Sequence, residues 1–349
     1  MARSKHTIAV APGATIREQL EDRGMTQREF ASRMGLSEKH VSRLINGEVA
    51  LTPEVALKLE YVLGVPASYW NNLEAIYREK LVRVQEENQM EADAQIARAF
   101  PYFEMSKLGW VPPTRDAYAK ANYLRRYFCV ASLHAVSDPR VLNIACRRLG
   151  TSEKSDYALL AWAQQAKIQA VNHHTSPINI NLLRERIGDI RAMTTEDPQV
   201  FCGELVDLMA GCGIAVVFLP HLSGSFLHGA TFYDGNKIVI GMTVRGKDAD
   251  KFWFSLFHEI GHVLNNDMAK VNGTTDEDEE AANIFARDTL IAPDDYESFI
   301  ASKRKNQESI VTFAKSIGIS PGIVVGRLQK DNYLHFNEMN SLKEKYAIS

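Results

Sequence analysis

Apolar positions recur at three- and four-residue intervals along most of the chain, a spacing that predicts helices. Ile16 and Leu20 give a helix over 14–22 one apolar face, and Arg23-Gly24-Met25 closes it. A second helix, Gln27–Met34, carries Phe30, Ala31 and Met34, and Thr26 with Glu29 reads as a capping box at its start. Gly35 stops it. A third helix over 38–46 takes Ser37 as N-cap, buries Val41, Leu44 and Ile45, and ends at Asn46-Gly47. Thr52 and Pro53 open a fourth, with Val55, Leu59 and Val62 on its core face and Gly64 at its end. Residues 73–99 form a long polar helical stretch that reads as a connector. Trp110-Val111-Pro112-Pro113 breaks the pattern, and 115–193 is helical again in character.

Strand signals come late. Residues 213–220 are a continuous β-rich run, 229–233 a second, and 237–240 a third, with Asp234-Gly235-Asn236 as a turn that makes a hairpin of the last two. Helices over 250–266 and 277–291 follow, then two in the tail. Strands grouped before helices give α+β order.

The second and third helices, joined by Gly35-Leu36-Ser37, have the spacing of a helix-turn-helix. In such a unit the second helix enters the major groove. Its exposed residues would be Ser37, Glu38, Lys39, His40, Ser42 and Arg43. Arg43 or Lys39 could address guanine, and His40 or Ser42 bases or phosphate. Gln27 and Arg28 would reach the phosphate backbone from the first helix, and Asn46 is a further backbone contact. Charge moderates the picture: the formal net charge of the chain is −3. Residues 1–80 hold eleven Lys/Arg against ten Asp/Glu. Any nucleic-acid contact is therefore local.

The composition, 45% hydrophobic and 24% charged, is that of a soluble globular protein. Four scattered cysteines without a CxxC pair fit a reducing compartment, and no apolar run is long enough to span a membrane. The expectation is a cytoplasmic protein without membrane contact.

The segment Phe252–Leu264 contains His258-Glu259-Ile260-Gly261-His262. Residues four apart on a helix share a face, so both imidazoles can bind one cation, and Glu259 can act as general base toward water. Two nitrogens and one oxygen suit zinc, one ion per chain. The third ligand is expected from the next helix. Glu279 shares a face with Ala282, Asn283, Ala286 and Leu290; the small alanines allow close approach, and Asn283 could orient a ligand. Glu280 shares a face with Ile284 and Arg287, and Glu277 is expected to be frayed and solvated.

The segment from Thr26 to Glu74 resembles the Xre-type helix-turn-helix of HigA-type antitoxins. That resemblance implies a homodimer on a palindromic double-stranded DNA operator, autoregulation and a partner toxin. FWFSLFHEIGHVL and EEAANIFARDTLIAP resemble the ImmA/IrrE metallopeptidases, and FAKSIGISPGIVVGRLQKDNYL is similar to the segment that follows this domain in fusions with Xre-type regulators. In that family the ligand glutamate lies four residues before the Asn of an ANxFA-like motif, which lands on Glu279. The sequence departs in having Ala281 and Ala292 where polar and larger apolar residues are usual, and neither change removes a proposed ligand.

The expected architecture is multidomain: an all-α helix-turn-helix domain over 10–75, a helical connector region over 76–190, and an α+β zincin-like metallopeptidase domain over 191–349 with a helical tail. The expected function is a DNA-binding transcriptional regulator whose zinc-dependent endopeptidase domain cleaves itself or a partner repressor. The alternative is a HigA-like antitoxin or repressor whose metal domain senses a ligand or partner without proteolysis.

Overall fold

The computed structural model describes residues 2–138, 153–223, 229–243, 248–270, 274–303 and 305–346. The chain forms two compact units, 1–95 and 96–349. Residues 76–95 thus lie in the first and 96–190 in the second.

In the first unit a short antiparallel pair, β1 (Ala2–Arg3) and β2 (Ile8–Ala9), precedes helices α1 (Pro12–Asp22), α2 (Gln27–Met34), α3 (Glu38–Ile45), α4 (Pro53–Leu63) and α5 (Ala67–Ile96). Ile16, Phe30, Val41, Leu59 and Trp70 meet in one core. Gly35 adopts φ 63°, the left-handed conformation that lets the chain leave α2 and turn at once into α3. Ser37 and Thr52 cap as expected, accepting from the amides of His40 and Val55. The expected capping box at Thr26 is half formed. Thr26 accepts from the Glu29 amide, but the Glu29 carboxylate takes Arg33 one turn on.

Helix α5 begins earlier than its polar stretch suggested, because Trp70 is fully buried among α1–α4. The β1–β2 pair was not foreseen from the sequence. It is held from a distance: Ser4 and Thr7 both donate to the carboxylate of Glu87 on α5, and Asn88 donates to the Arg3 carbonyl.

The second unit contains α6 (Tyr102–Lys107), α7 (Ala117–Phe128), α8 (Glu153–Ala170), α9 (Ile180–Ala192) and α10 (Pro198–Gly211). Strands β3 (Ile214–Phe218), β4 (Gly229–Asp234) and β5 (Lys237–Met242) follow, then α11 (Ala249–Asn265), α12 (Asp276–Leu290), α13 (Pro293–Ala301), α14 (Gln307–Ile317) and α15 (Pro321–Lys330). The sheet order is β3-β5-β4. β5 lies parallel to β3 in register Ile214 with Ile238, and antiparallel to β4, where Asp234 pairs with Lys237 across the expected turn.

Both faces of this sheet are covered, which is why its strands read as continuous apolar runs rather than alternating ones. On one face Ile214, Val216, Ile238 and Ile240 join Leu256 and Ile260 of α11 in the main core. On the other, a Cβ at Gly241 would stand 2.7 Å from the ring of Trp162 on α8. Among the described residues three α-helices, not two, follow α12, because Pro293 at a first helical position restarts the chain immediately after the break at Ile291. No single described helix is long and apolar enough to cross a membrane. Cys129, Cys202 and Cys212 are free thiols, and Cys146 lies outside the described residues, as does 139–152 of the expected helical region.

Candidate metal centre and candidate nucleic-acid interface

The apolar side of α11 carries Trp253, Leu256, Phe257 and Ile260 into the core, which turns His258 and His262 toward α12. The two helices approach closely at Gly261, where a Cβ would lie 3.1 Å from Ala282 Cα. Ala282 and Ala286 are fully buried, as the spacing of small residues implied.

His258 Nε2 and His262 Nε2 stand 3.0 Å apart. Glu279 completes the group, its Oε2 3.5 Å from His258 Nε2 and its Oε1 3.7 Å from His262 Nε2. One ligand atom from each of the three lies within 4.8 Å of the others, a set that can hold a metal ion. Glu279 is half-buried in the first turn of α12, whereas Glu277 and Glu280 are exposed. Its carboxylate also accepts from Thr274 Oγ1 at 2.6 Å.

The outer nitrogens have partners of their own. His258 Nδ1 meets Asn283 Oδ1 at 3.0 Å, and His262 Nδ1 meets Asp267 Oδ2 at 2.9 Å. Both partners are acceptor oxygens, so both Nδ1 atoms carry the proton. With both rings neutral, the two Nε2 lone pairs then converge on each other and on a carboxylate. Three acceptors around one point suit a cation, and two imidazoles with one carboxylate are a donor set that zinc accepts. Without a cation, a proton on His258 meets the same demand. Burial opposes a charge on His258, but the Glu279 hydrogen bond and the charges of Glu259 and Glu279 raise its pKa. Burial pushes Glu279 upward, yet hydrogen bonds from His258 and Thr274 and the imidazole charges bring it down to about 2.

Glu259 is 7% exposed and points to β4. Its Oε2 accepts from Thr231 Oγ1 at 2.6 Å. A Cβ at Gly229 would stand 2.8 Å from its Oε1, so β4 leaves room there only because that position lacks a side chain. Gly229 and Thr231 are two apart on a strand and so share a face. Burial raises the Glu259 pKa, partly offset by the His258 charge and the Thr231 bond.

Sequence reasoning missed Asp267 and Thr231. Asp267 follows His262 by five residues and is fixed by Lys270, whose Nζ lies 2.9 Å from Asp267 and 2.6 Å from Asp278. A buried acid just past the helix end was a usable signal; Thr231 offered none, because its contact crosses from another element.

In the first unit Gln27, Arg28, Ser37, Lys39, Arg43 and Asn46 are exposed, and His40 and Ser42 are half-buried. Lys39, Ser42, Arg43 and Asn46 recur at three- and four-residue spacing, which brings them to one side of α3. Several are engaged within the unit. Arg28 pairs with Glu38 at 2.9 Å and Arg43 with Glu48 at 3.5 Å. Asn46 Oδ1 accepts from Arg17 at 3.3 Å, and the Ser37 hydroxyl serves as a cap.

Residues 16–70 match the helix-turn-helix family, and residues 215–329 match a peptidase family described as the IrrE N-terminal-like domain. The chain is similar to an uncharacterized HTH-type transcriptional regulator, YddM, of Escherichia coli strain K12. The two are 43% identical over 63 residues, which is 18% of this chain and 67% of the relative.

Proposed function

From a chain that belongs to the helix-turn-helix transcriptional regulators and carries an IrrE-like peptidase-family domain, we propose a DNA-binding regulator with a zinc-dependent endopeptidase site that cleaves itself or a partner regulator. The observation that carries this reading is the convergence of His258 Nε2, His262 Nε2 and Glu279 beside a buried Glu259.

His258, His262 and Glu279 would hold one zinc ion, which supplies Lewis acidity toward a peptide carbonyl and water. Asn283 and Asp267 keep both rings in the tautomer that presents Nε2. Thr231 binds Glu259 Oε2, which leaves Oε1 as the atom that takes a proton from water and returns it to the departing amine. Burial favours this role, because a carboxylate with a raised pKa is a stronger base at neutral pH.

On the DNA side, α3 would enter the major groove with Lys39, His40, Ser42 and Arg43 toward base edges. Gln27, Arg28, Ser37 and Asn46 would hold phosphates. Two copies would read a two-fold operator with half-sites about 34 Å apart. A regulator of this kind acts in the cytoplasm.

The test compares wild-type protein with Glu259→Gln, alone and co-expressed with regulators encoded nearby. Cleavage fragments from wild type but not from Glu259→Gln, with equal DNA binding by the intact proteins, support the proposal. Identical fragment patterns, or none from either, favour a metal domain that senses without cutting.

A further inference from the structure

A cavity of about 610 Å³ opens on the second unit, lined by the first turns of α11, the last turns of α12, helix α15 and the segment that follows α15. It adjoins the metal cluster along the helices without including any of its residues. Phe254 lines it one turn before His258, and Arg287 lines it one turn after Asn283.

Three features of its wall point to a ligand. The first is charge. Lys251, Arg287, Arg327, Lys330, Lys343 and Lys345 line it against only Asp248 and Asp250. Four of these cations are paired: Lys251 with Asp248, Lys343 with Asp250, Arg287 with Asp288 and Arg327 with Asp331. Lys330 and Lys345 have no ion pair among the described residues, so the cavity carries uncompensated positive charge.

The second is exposed aromatic surface beside buried apolar residues. Phe254 is 38% exposed and Phe336 67% exposed, and Ile323 and Leu290 also line the cavity.

The third is a buried polar atom left over. Asp250 is 8% exposed; its Oδ2 accepts from Lys343 Nζ at 2.7 Å, but its Oδ1 has no hydrogen-bond partner among the described residues. A side chain at position 326 would displace this carboxylate, since a Cβ on Gly326 would come 2.3 Å from Oδ2. Leaving such an atom unsatisfied costs about 1–3 kcal/mol.

We infer that this cavity is a binding site for a small organic acid: an anionic group toward Lys330 and Lys345, an apolar or aromatic body against Phe254, and a hydroxyl or amine hydrogen for Asp250. Its volume falls in the small-molecule range of about 300–1,000 Å³. The inference does not rest on proteolysis, metal occupancy or DNA binding. An occupant would touch the helix that carries His258 four residues before it, about 6 Å along its axis.

Anilinonaphthalene sulfonate combines a sulfonate, an aromatic body and one N–H, and serves as the probe. Its fluorescence would be titrated with the full-length chain, both zinc-loaded and chelator-treated. The expected result is one saturable site per chain that persists after chelation. Lys330→Glu combined with Lys345→Glu, and separately Phe254→Ala, should each weaken it about tenfold or more, as loss of a charged contact or an aromatic wall implies. Lys315→Glu, an exposed charge reversal outside the cavity, should leave it unchanged. Equal weakening by Lys315→Glu would mean attraction to overall charge, and loss on chelation would mean the sulfonate sits on the metal. Either result overturns the inference, as does unchanged binding in the cavity variants or no saturable site. An acidic peptide that competes where the free probe is insensitive to both cavity variants would also overturn it, in favour of a polypeptide-binding surface.

Discussion

Asp267 Oδ2 stands 2.9 Å from His262 Nδ1, and that bond decides which nitrogen of the ring faces Glu279. The acid is 2% exposed and anchored by Lys270. Its position makes it a support for the candidate metal centre rather than a ligand, since it touches the far side of the imidazole.

Replacing Asp267 with Asn should therefore weaken zinc binding while leaving the fold intact. Loss of such a supporting carboxylate typically costs about 10–100-fold in affinity. Competition against a chromogenic chelator measures it. Affinity equal to wild type would show that the His262 tautomer does not depend on Asp267.

Glu259 and Thr231 should separate chemistry from metal binding. Glu259→Gln should retain zinc and lower any peptidase rate on the order of 10²–10⁴-fold, the usual contribution of a general base. Thr231→Val removes one hydrogen bond to Oε2 and should cost about tenfold, again with zinc retained. A Thr231→Val protein that loses its metal would mean the strand positions the ligands and not the base.

The extent to which the site could be read in advance follows from the range of each contact. The two imidazoles sit one helical turn apart and Glu279 shares a helix face with Ala282, Asn283 and Ala286, both local periodicities. The caps at Ser37 and Thr52 and the Asp234–Lys237 turn are local too, and the structure contains them. The contacts of Thr231 with Glu259, of Trp70 with the first core and of Glu87 with Ser4 and Thr7 join distant stretches. No spacing rule reaches that far. The same limit hid the cover that α8 places on the sheet, which set the continuous apolar character of its strands.

Gly13 gives a test of the first unit. A Cβ there would come 2.1 Å from the Ile45 carbonyl oxygen, where α1 crosses the end of α3. Gly13→Ala should destabilise this unit by about 1–3 kcal/mol through overpacking. A lowered denaturation midpoint, with the zinc content of the second unit unchanged, is the expected result. An unaltered midpoint would mean the helices can separate without cost.

Arg43 and Lys39 should differ from Arg28 in what they do to DNA binding. With a fragment selected by the protein from a random pool, Arg43→Ala should cost about 1–3 kcal/mol and relax base preference. Arg28→Ala should weaken all sequences alike and flatten the salt dependence. Fluorescence anisotropy at several salt concentrations distinguishes the two patterns, and a uniform loss for Arg43→Ala would assign it to phosphate.

In chelator-treated protein the acid side of the titration should report Glu279. Its folded pKa is depressed to about 2 from an ordinary value of 4.5. Its contribution to stability is therefore complete above roughly pH 4.5 and is lost as pH falls toward 2. Wild type should exceed Glu279→Gln in urea stability at pH 7, with the gap narrowing below pH 4.5. A gap that widens on acidification would contradict the assigned hydrogen bonds.

Whether two imidazoles and one carboxylate on neighbouring helices hold a single metal ion is tested most directly by metal content. Full-length protein purified without chelators should contain one zinc per chain by elemental mass spectrometry, as should Glu259→Gln, while Glu279→Ala should contain almost none. Metal-free wild type, or zinc fully retained in Glu279→Ala, would contradict it.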